Sequence, residues 1–508
     1  MPQGVLNFKY EEEKKSSGMT GLAGLPVYLD FIYKSGLYDS IRKQVKIRNS
    51  GQGWTDVQVL LSLILLNLAG GDCVNDLRIL ESDEGFVEVL RKIETYKLRL
   101  RERRELERRH RKENLRSVPS PSSAFRYLQK FHNKEEEIKR KAHKAFIPLD
   151  NDYLKGLKKV NRDFLSFIQL TSPEKTATLD MDATVVESNK EEALYCYEGF
   201  KSYQPLNAYW AEKGLIVKSE FRDGNVPAGY EQLRVLKETI EFLPEGIEKI
   251  YLRSDTAGYQ WDLMKYCAEG KNERFGVIEF TISSDVSPQF KEAVKEVSES
   301  DWKPLLRQKK DKKWEETGQE WAEVCYVPSA VCVSKKGPSY RYIAIREAVK
   351  QLNLPGMEQL ALPFPDVDLP GKGKYKISAI VTNRTTEGQE LIWWHRKRCG
   401  KSEEVHSVMK EDLAGGKLPS GYFGVNAAWW AIMILAYNIN SGLKRLVLGE
   451  HWINKRLKAI RFAIINLPGR IIKRSRELII RLTKGHPSNE LLFNARKKIL
   501  SFSSLSPG

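Results

Sequence analysis

Apolar residues recur at helical spacing in LPVYLDFIYKSGLYDSI and run almost unbroken through VQVLLSLILLNLAGG, so residues 20–92 read as helices, with Gly70 and Gly71 closing the second run. Residues 97–116 form a charged stretch of ten basic and four acidic side chains, whose mixed signs suit a solvated helix. Pro and Ser in SVPSPSSAFRYLQKF then supply a turn and a helix start, and the new helix carries Arg126 and Lys130. From about residue 175 the period changes. TATLDMDATVVES, PLNAYWAE and LIVKSEF read as consecutive antiparallel strands, followed by a helix at 232–242, a strand in KIYLRSD, a helix at 258–267 and a strand in GVIEFTIS.

Three strands, helix, strand, helix, strand is the order of an RNase H-like core. Charge-rich sequence with strand-like runs such as EVCYVPS and YRYIAIREA interrupts it, and helices resume from Gln389, including the apolar NAAWWAIMILAYNI. The expected architecture is therefore α/β. Residues 1–150 form a helical N-terminal binding or assembly region, 170–284 the first part of the RNase H-like core and 285–380 a β-rich insertion. Residues 381–440 form the second part of the core, and 441–508 a basic helical tail.

Charge sharpens this picture. With 83 Lys and Arg against 66 acids the chain carries a formal net charge of +17, and residues 441–508 alone hold fifteen basic and three acidic side chains. Such an excess favours a polyanionic partner, as it would in a ribosomal or membrane-surface protein. The six cysteines show no CxxC pair and no zinc-ligand spacing, which fits a reducing compartment. The most apolar runs, 57–69 and 427–437, are shorter than the ~20 residues of a membrane span, so a soluble, cytoplasmic protein is expected.

Period-2 alternation in the first strand sets Thr178, Asp180, Asp182 and Thr184 on one face and Leu179, Met181, Ala183 and Val185 on the other. Two carboxylates facing one way repel unless water or a cation compensates them, so the face either is solvated or invites a divalent metal. The fourth strand ends at Asp255, which either caps the following helix or converges with Asp182 on one ion. In HRKRCGKSEEVHSVMKEDL, offsets of three and seven put Glu403, His406 and Lys410 on one helix face, with Glu404 about 100° around. Two strand aspartates and a helix glutamate supply the oxygen ligands that Mg²⁺ or Mn²⁺ prefers, and two ions would serve in-line phosphoryl transfer. Lys410, Arg396 and Arg398, with His406 beside them, are then candidate phosphate contacts or catalytic supports. Trp393 and Trp394 read as core residues, with stacking on unpaired bases as the alternative.

At these positions the sequence resembles the IS1380 family of bacterial insertion-sequence transposases, with an IS4-type DDE domain. LDMDATVVES resembles its first-aspartate segment, EGFKSYQPL its glycine, aromatic and Pro-Leu segment, and GNVPAG its loop before a helix. LRSDTAGY resembles the second-aspartate segment, RCGKSEEVHSVMKEDL the glutamate helix, and LPSGYFGVNAAWWAIMILAYNI the apolar helix that follows. The likeness spans roughly residues 20–465. It implies a transposase that binds terminal inverted repeats, frees the element's ends and joins them to target DNA, with Asp182, Asp255 and Glu403 as both catalytic residues and metal ligands. Arg398 stands one residue farther from Glu403 than the family pattern has it, and Glu404 is the alternative third carboxylate. The implied partners are double-stranded DNA and further copies of the chain, as a homodimer or larger assembly at the bacterial nucleoid, with no membrane. Arg126 and Lys130, on a possible helix-turn-helix, and Arg470, Lys473, Arg474 and Arg476, in the tail, are the expected DNA contacts. The competing readings are a structure-specific nuclease of the same fold, a catalytically inactive DNA-binding descendant, and an RNA-binding protein.

Overall fold

A computed structural model describes residues 18–48, 53–95, 99–101, 103–104, 116–142, 145–309, 311–328, 340–349, 364–369, 373–474 and 477–502. Most of the charged stretch at 97–116 lies outside the described residues, as do Cys332 and Arg476. The N-terminal region is helical, with α1 (Pro26–Lys34) and α2 (Asp56–Ala69) among its elements. Thr55 and Gln58 form a reciprocal capping box at the start of α2, and Gly70, at φ 101°, lets the chain turn back so that the Gly70 and Gly71 N–H groups both reach Leu66 O. A longer helix, α3 (Asp152–Thr171), leads into the sheet.

The core strands are β1 (Thr176–Ala183), β2 (Leu206–Trp210), β3 (Leu215–Glu220), β4 (Lys249–Ser254) and β5 (Glu279–Ser284), with α4 (Gln232–Phe242) and α5 (Trp261–Ala268) between the later ones. Their spatial order is β3-β2-β1-β4-β5. β2 runs antiparallel to β1 and β3, whereas β1, β4 and β5 are mutually parallel. This is the RNase H-like arrangement.

Residues 285–380 contribute β6 (Lys303–Gln308), β7 (Trp314–Val324), β8 (Arg341–Ala348), β9 (Asp366–Leu369) and β10 (Gly373–Thr382). These strands continue the core sheet: β10 pairs antiparallel with β5, opposing Thr382 to Thr281, and the combined sheet has ten strands. After it come α6 (Gly388–Arg396), α7 (Lys401–Ser407) and the long α8 (Phe423–Leu443). The C-terminal region has helical turns and α9 (Ser488–Leu500), and also a hairpin of β11 (Gly469–Arg474) and β12 (Glu477–Leu482) that the sequence reading did not foresee. β11 pairs with Met19–Thr20, a contact between the two ends of the chain that no local pattern encodes.

Helix α8 is apolar nearly all round because it is buried nearly all round, packed between α2, α3 and the β3 edge. No single described helix is long and apolar enough to cross a membrane. The few polar groups of α8 are each satisfied. Asn438 accepts from Ile216 N at 2.8 Å and donates to Ile216 O at 2.8 Å and to Asn161 Oδ1 at 2.7 Å, so one side chain stitches α8, α3 and β3 together. Asn440 accepts from the Tyr28 hydroxyl at 2.9 Å and adds α1 to the same core.

Replacing Asn438 with Ala strands the Ile216 amide and the Asn161 side chain without their partner. A loss of about 3 kcal/mol is expected, at ~1–3 kcal/mol for each buried group left unsatisfied. Urea unfolding should show a lower midpoint. An unchanged midpoint would mean that Asn438 does not hold the strand edge.

Candidate active site

The alternation read from β1 is realised, but both faces of the strand are covered. Ala177, Leu179 and Met181 are fully buried on one side, and Thr178 and Asp180 are nearly so on the other. The solvated face expected as an alternative is therefore absent. The two acids of the polar face have separate fates. Asp180 Oδ1 and Oδ2 accept from Arg253 Nε and Nη2 at 2.6 and 2.7 Å, a buried fork that joins β1 to β4. Thr178, on the same face, is held by Glu212.

Asp182 keeps no such full partner. Its carboxylate lies 3.4 Å from Arg398 Nη1 and accepts a hydrogen bond from Ser402 at the start of α7. Asp255 follows β4, one step beyond the aligned pair Met181 and Ser254, which puts it at the same end of the sheet as Asp182. Asp255 also caps a short turn, accepting from Ala257 N at 3.0 Å, so the capping and converging roles coexist. Burial raises the Asp182 carboxyl to about 6; Arg398 opposes the rise and the charge of Asp255 adds to it. Two hard-oxygen donors that repel each other at adjacent strand ends suit a divalent cation. Among the described residues, however, no three His, Cys, Asp or Glu side chains stand close enough together to hold one.

The two glutamates expected from the sequence as third carboxylate lie on α7. Glu403 is exposed there, while Glu404 turns away and pairs with Lys401 at 2.8 Å. His406 meets the sheet through a polar chain. Trp430 Nε1 donates to Ser219 Oγ at 2.7 Å, Ser219 Oγ donates to Asn207 Oδ1 at 2.6 Å, and Asn207 Nδ2 stands 3.3 Å from His406 Nε2. The indole can only donate, so the sense of the chain leaves Nε2 of His406 accepting and its proton on Nδ1. Burial, with Lys410 and Arg398 nearby, lowers His406 to about 4 and keeps the ring neutral. Beyond α7 the helix widens into a π turn at Val408–Asp412, where Lys410 Nζ lies 3.4 Å from Val185 O, just past the end of β1.

The structure thus gathers Asp182, Arg398 and Ser402, with Asp255 at the next strand end, His406 through Asn207, and Lys410 beside the β1 exit. Arg396 is placed elsewhere. It donates to Gln319 Oε1 on β7 at 2.8 Å and stacks on Trp393, so it braces α6 against the added strands. Trp394 is packed between the Arg253 and Arg384 guanidinium groups. Arg126 and Lys130 are exposed, Lys473 pairs with Glu88 at 2.6 Å, and Arg470 and Arg474 lie on β11. Arg253, Asn207 and Ser402 were not singled out from sequence. Only Arg253 carried a readable signal, since it stands two residues before Asp255 and so shares its strand face. His395 is likewise buried, bonded to Thr281 and Ser283 of β5 and lowered to about 3 by burial, so it anchors α6 as a neutral ring.

Because the folded Asp182 carboxyl is raised from 3.8 to about 6, its stabilising contribution is full below pH ~3.8 and is lost as pH rises through about 6. In EDTA, Asp182→Asn should therefore gain melting temperature over wild type between those values and stay ahead at higher pH. Parallel curves would contradict the assigned shift. For His406, ¹⁵N NMR at pH 7 should show the neutral, Nδ1-protonated ring, and Asn207→Ala should allow the other tautomer. An Nε2-protonated wild type would refute the chain's direction.

The transposase DDE domain group 1 family model matches residues 12–504. No curated protein matches the chain. Among solved structures, the cryo-EM structure of a piggyBac transposase synaptic complex with hairpin DNA aligns at a TM-score of 0.44 and 10% identity, over 96% of this chain and 83% of that one. At that level the likeness carries no weight, and the assignment rests on the family match. Spanning almost the whole sequence, that match shows that the chain belongs to the DDE transposases, a family that acts in DNA transposition and generally uses divalent metal ions.

Proposed function

We propose that this transposase cuts DNA at the terminal inverted repeats of an insertion sequence of the IS1380 type and joins the freed ends to target DNA, through Asp182, Asp255 and Glu403. The observation that carries this reading is the placement of Asp182 and Asp255 at the same end of adjacent parallel strands, where their charges oppose each other. Those two residues would hold Mg²⁺ or Mn²⁺, with Glu403 the third ligand contributed from α7. Held there, divalent ions, two in number, supply positive charge to the attacking and leaving oxygens of in-line phosphoryl transfer.

The chain's own side chains prepare the substrate. Arg398 offers a buried Nε that bonds no described residue, a donor suited to a phosphoryl oxygen beside Asp182. His406 presents its Nδ1 proton as a neutral donor, and Lys410 meets the flanking phosphate past the end of β1. Glu404, engaged with Lys401, is the weaker claimant to the third position. Arg126 and Lys130, with Arg470, Lys473, Arg474 and Arg476, serve as backbone contacts, Lys473 exchanging its ion pair with Glu88 for phosphate. Bridging two DNA ends calls for at least a dimer, acting on DNA at the nucleoid in the cytoplasm.

The test is cleavage and joining of a labelled duplex bearing the terminal repeat, with Mg²⁺ or EDTA, by wild type and Asp182→Ala. Joined product that needs both metal and Asp182 is expected. Cutting that never proceeds to joining would assign a nuclease, and binding with no chemistry an inactive descendant.

A further inference from the structure

On another stripe of α7, away from Ser402 and His406, a cavity of about 60 Å³ opens between that helix, β2 and the end of α8. Its charged lining is Lys401, Glu404, Lys444, Arg445 and Lys455, four cations and one carboxylate. The carboxylate is already committed, since Glu404 pairs with Lys401 at 2.8 Å. Lys444 donates to the carbonyls of Ile453 and Lys455 at 2.9 and 3.1 Å, and it is lowered to about 8 chiefly by burial, with Lys401 and Arg445 adding to the fall and Glu404 opposing it. Arg445 makes no hydrogen bond or ion pair with any described residue, although it is only partly exposed.

The backbone is shaped to admit that guanidinium. Gly214, in the turn from β2 to β3, sits at φ +67°, and a Cβ there would lie 2.7 Å from Arg445 Nη2 and 3.3 Å from the Tyr209 hydroxyl. A planar fork with five donors and no acceptor, unpaired by any described residue and beside a half-buried ammonium, is suited to an anion. The Tyr209 and Tyr437 side chains add polar groups to the same wall. At roughly 10–15 Å³ of such space per water-sized group, the cavity takes about four to six, room enough for the four oxygens of a phosphate.

We propose that this cavity is an oxyanion site that takes a phosphoryl group, with Arg445 as its principal ligand and Lys444 and Lys455 supplying charge. The occupant we favour, a backbone phosphate of bound DNA, rests on the transposase reading. The site would then grip the duplex from a second stripe of the helix that carries Glu403, so that binding and the placement of the third carboxylate share one element.

The experiment uses the full chain in EDTA, so that no chemistry is required. Wild type and Arg445→Gln are compared in two arms: binding of a terminal-repeat duplex across a salt series, and melting temperature with inorganic phosphate against chloride at equal ionic strength. Losing one phosphate contact should reduce the slope of log K against log salt by about one. A reduced slope in the variant assigns the site to the DNA backbone. An unchanged slope, with phosphate raising the melting temperature of wild type only, assigns it to free phosphate. No difference in either arm overturns the proposal. Lys455→Gln, at an exposed position, should give the same direction more weakly and serves if Arg445→Gln does not fold. Were wild type not to bind the duplex at all, the DNA reading would fall and the phosphate arm alone would decide the site.

Discussion

Asp180 and Arg253 bury a full carboxylate–guanidinium fork between β1 and β4, and much of the site is arranged around it. Removing either partner would leave an uncompensated buried charge, at a cost of about 3–5 kcal/mol. The same guanidinium reaches upward: Arg253 Nη1 donates to Trp394 O at 2.7 Å and its plane stacks on the Trp394 ring. The fork thus fixes the height of α6 over the sheet. Because α7 follows α6 after a short turn at Gly400, it also influences where Ser402, Glu403 and His406 stand relative to Asp182. The pair neutralises one acid of the polar face and leaves Asp182 without a comparable partner.

The added strands complete that support. Trp393 Nε1 donates to Leu306 O on β6, Arg396 reaches Gln319 on β7, and Gly388 at the start of α6 lies so close under the Trp321 ring that a Cβ would be 2.2 Å from it. Strands β6 to β10 therefore form a wall, continuous with the core sheet, against which the helix before the glutamate segment is seated. Arg396, expected from the sequence as a phosphate contact, braces α6 against β7 in the folded chain. What remains near Asp182 is Arg398, whose position one residue off the family spacing still brings it to the carboxylate.

Much of this was legible in the sequence, and for physical reasons. Strand periodicity gave the two faces of β1, and the order of periodic segments gave the core topology, because both are local properties of the chain. The split between Asp180 and Asp182 was not legible, since it depends on Arg253 arriving from a parallel neighbour more than seventy residues away. Asn207 and Ser219 were invisible for the same reason: each matters only through a partner across strands, on α7 or on α8. The β11–β12 hairpin, rich in Ile, Leu, Arg and Lys, has a composition that helices also tolerate, and its pairing with Met19–Thr20 joins the two ends of the chain. Glu403 shows the opposite case. Helical spacing placed it on the face of His406 and Lys410, yet in the folded chain it is exposed, and among the described residues it completes no group of three acids close enough to hold an ion.

The proposed chemistry requires Asp182 and Asp255 to act on one divalent ion. Mn²⁺ titration followed by electron paramagnetic resonance, on wild type, Asp182→Asn and Asp255→Asn, measures this without DNA or turnover. Wild type should remove free Mn²⁺ from solution, and each single substitution should weaken the uptake sharply. Undiminished binding in both variants would contradict it.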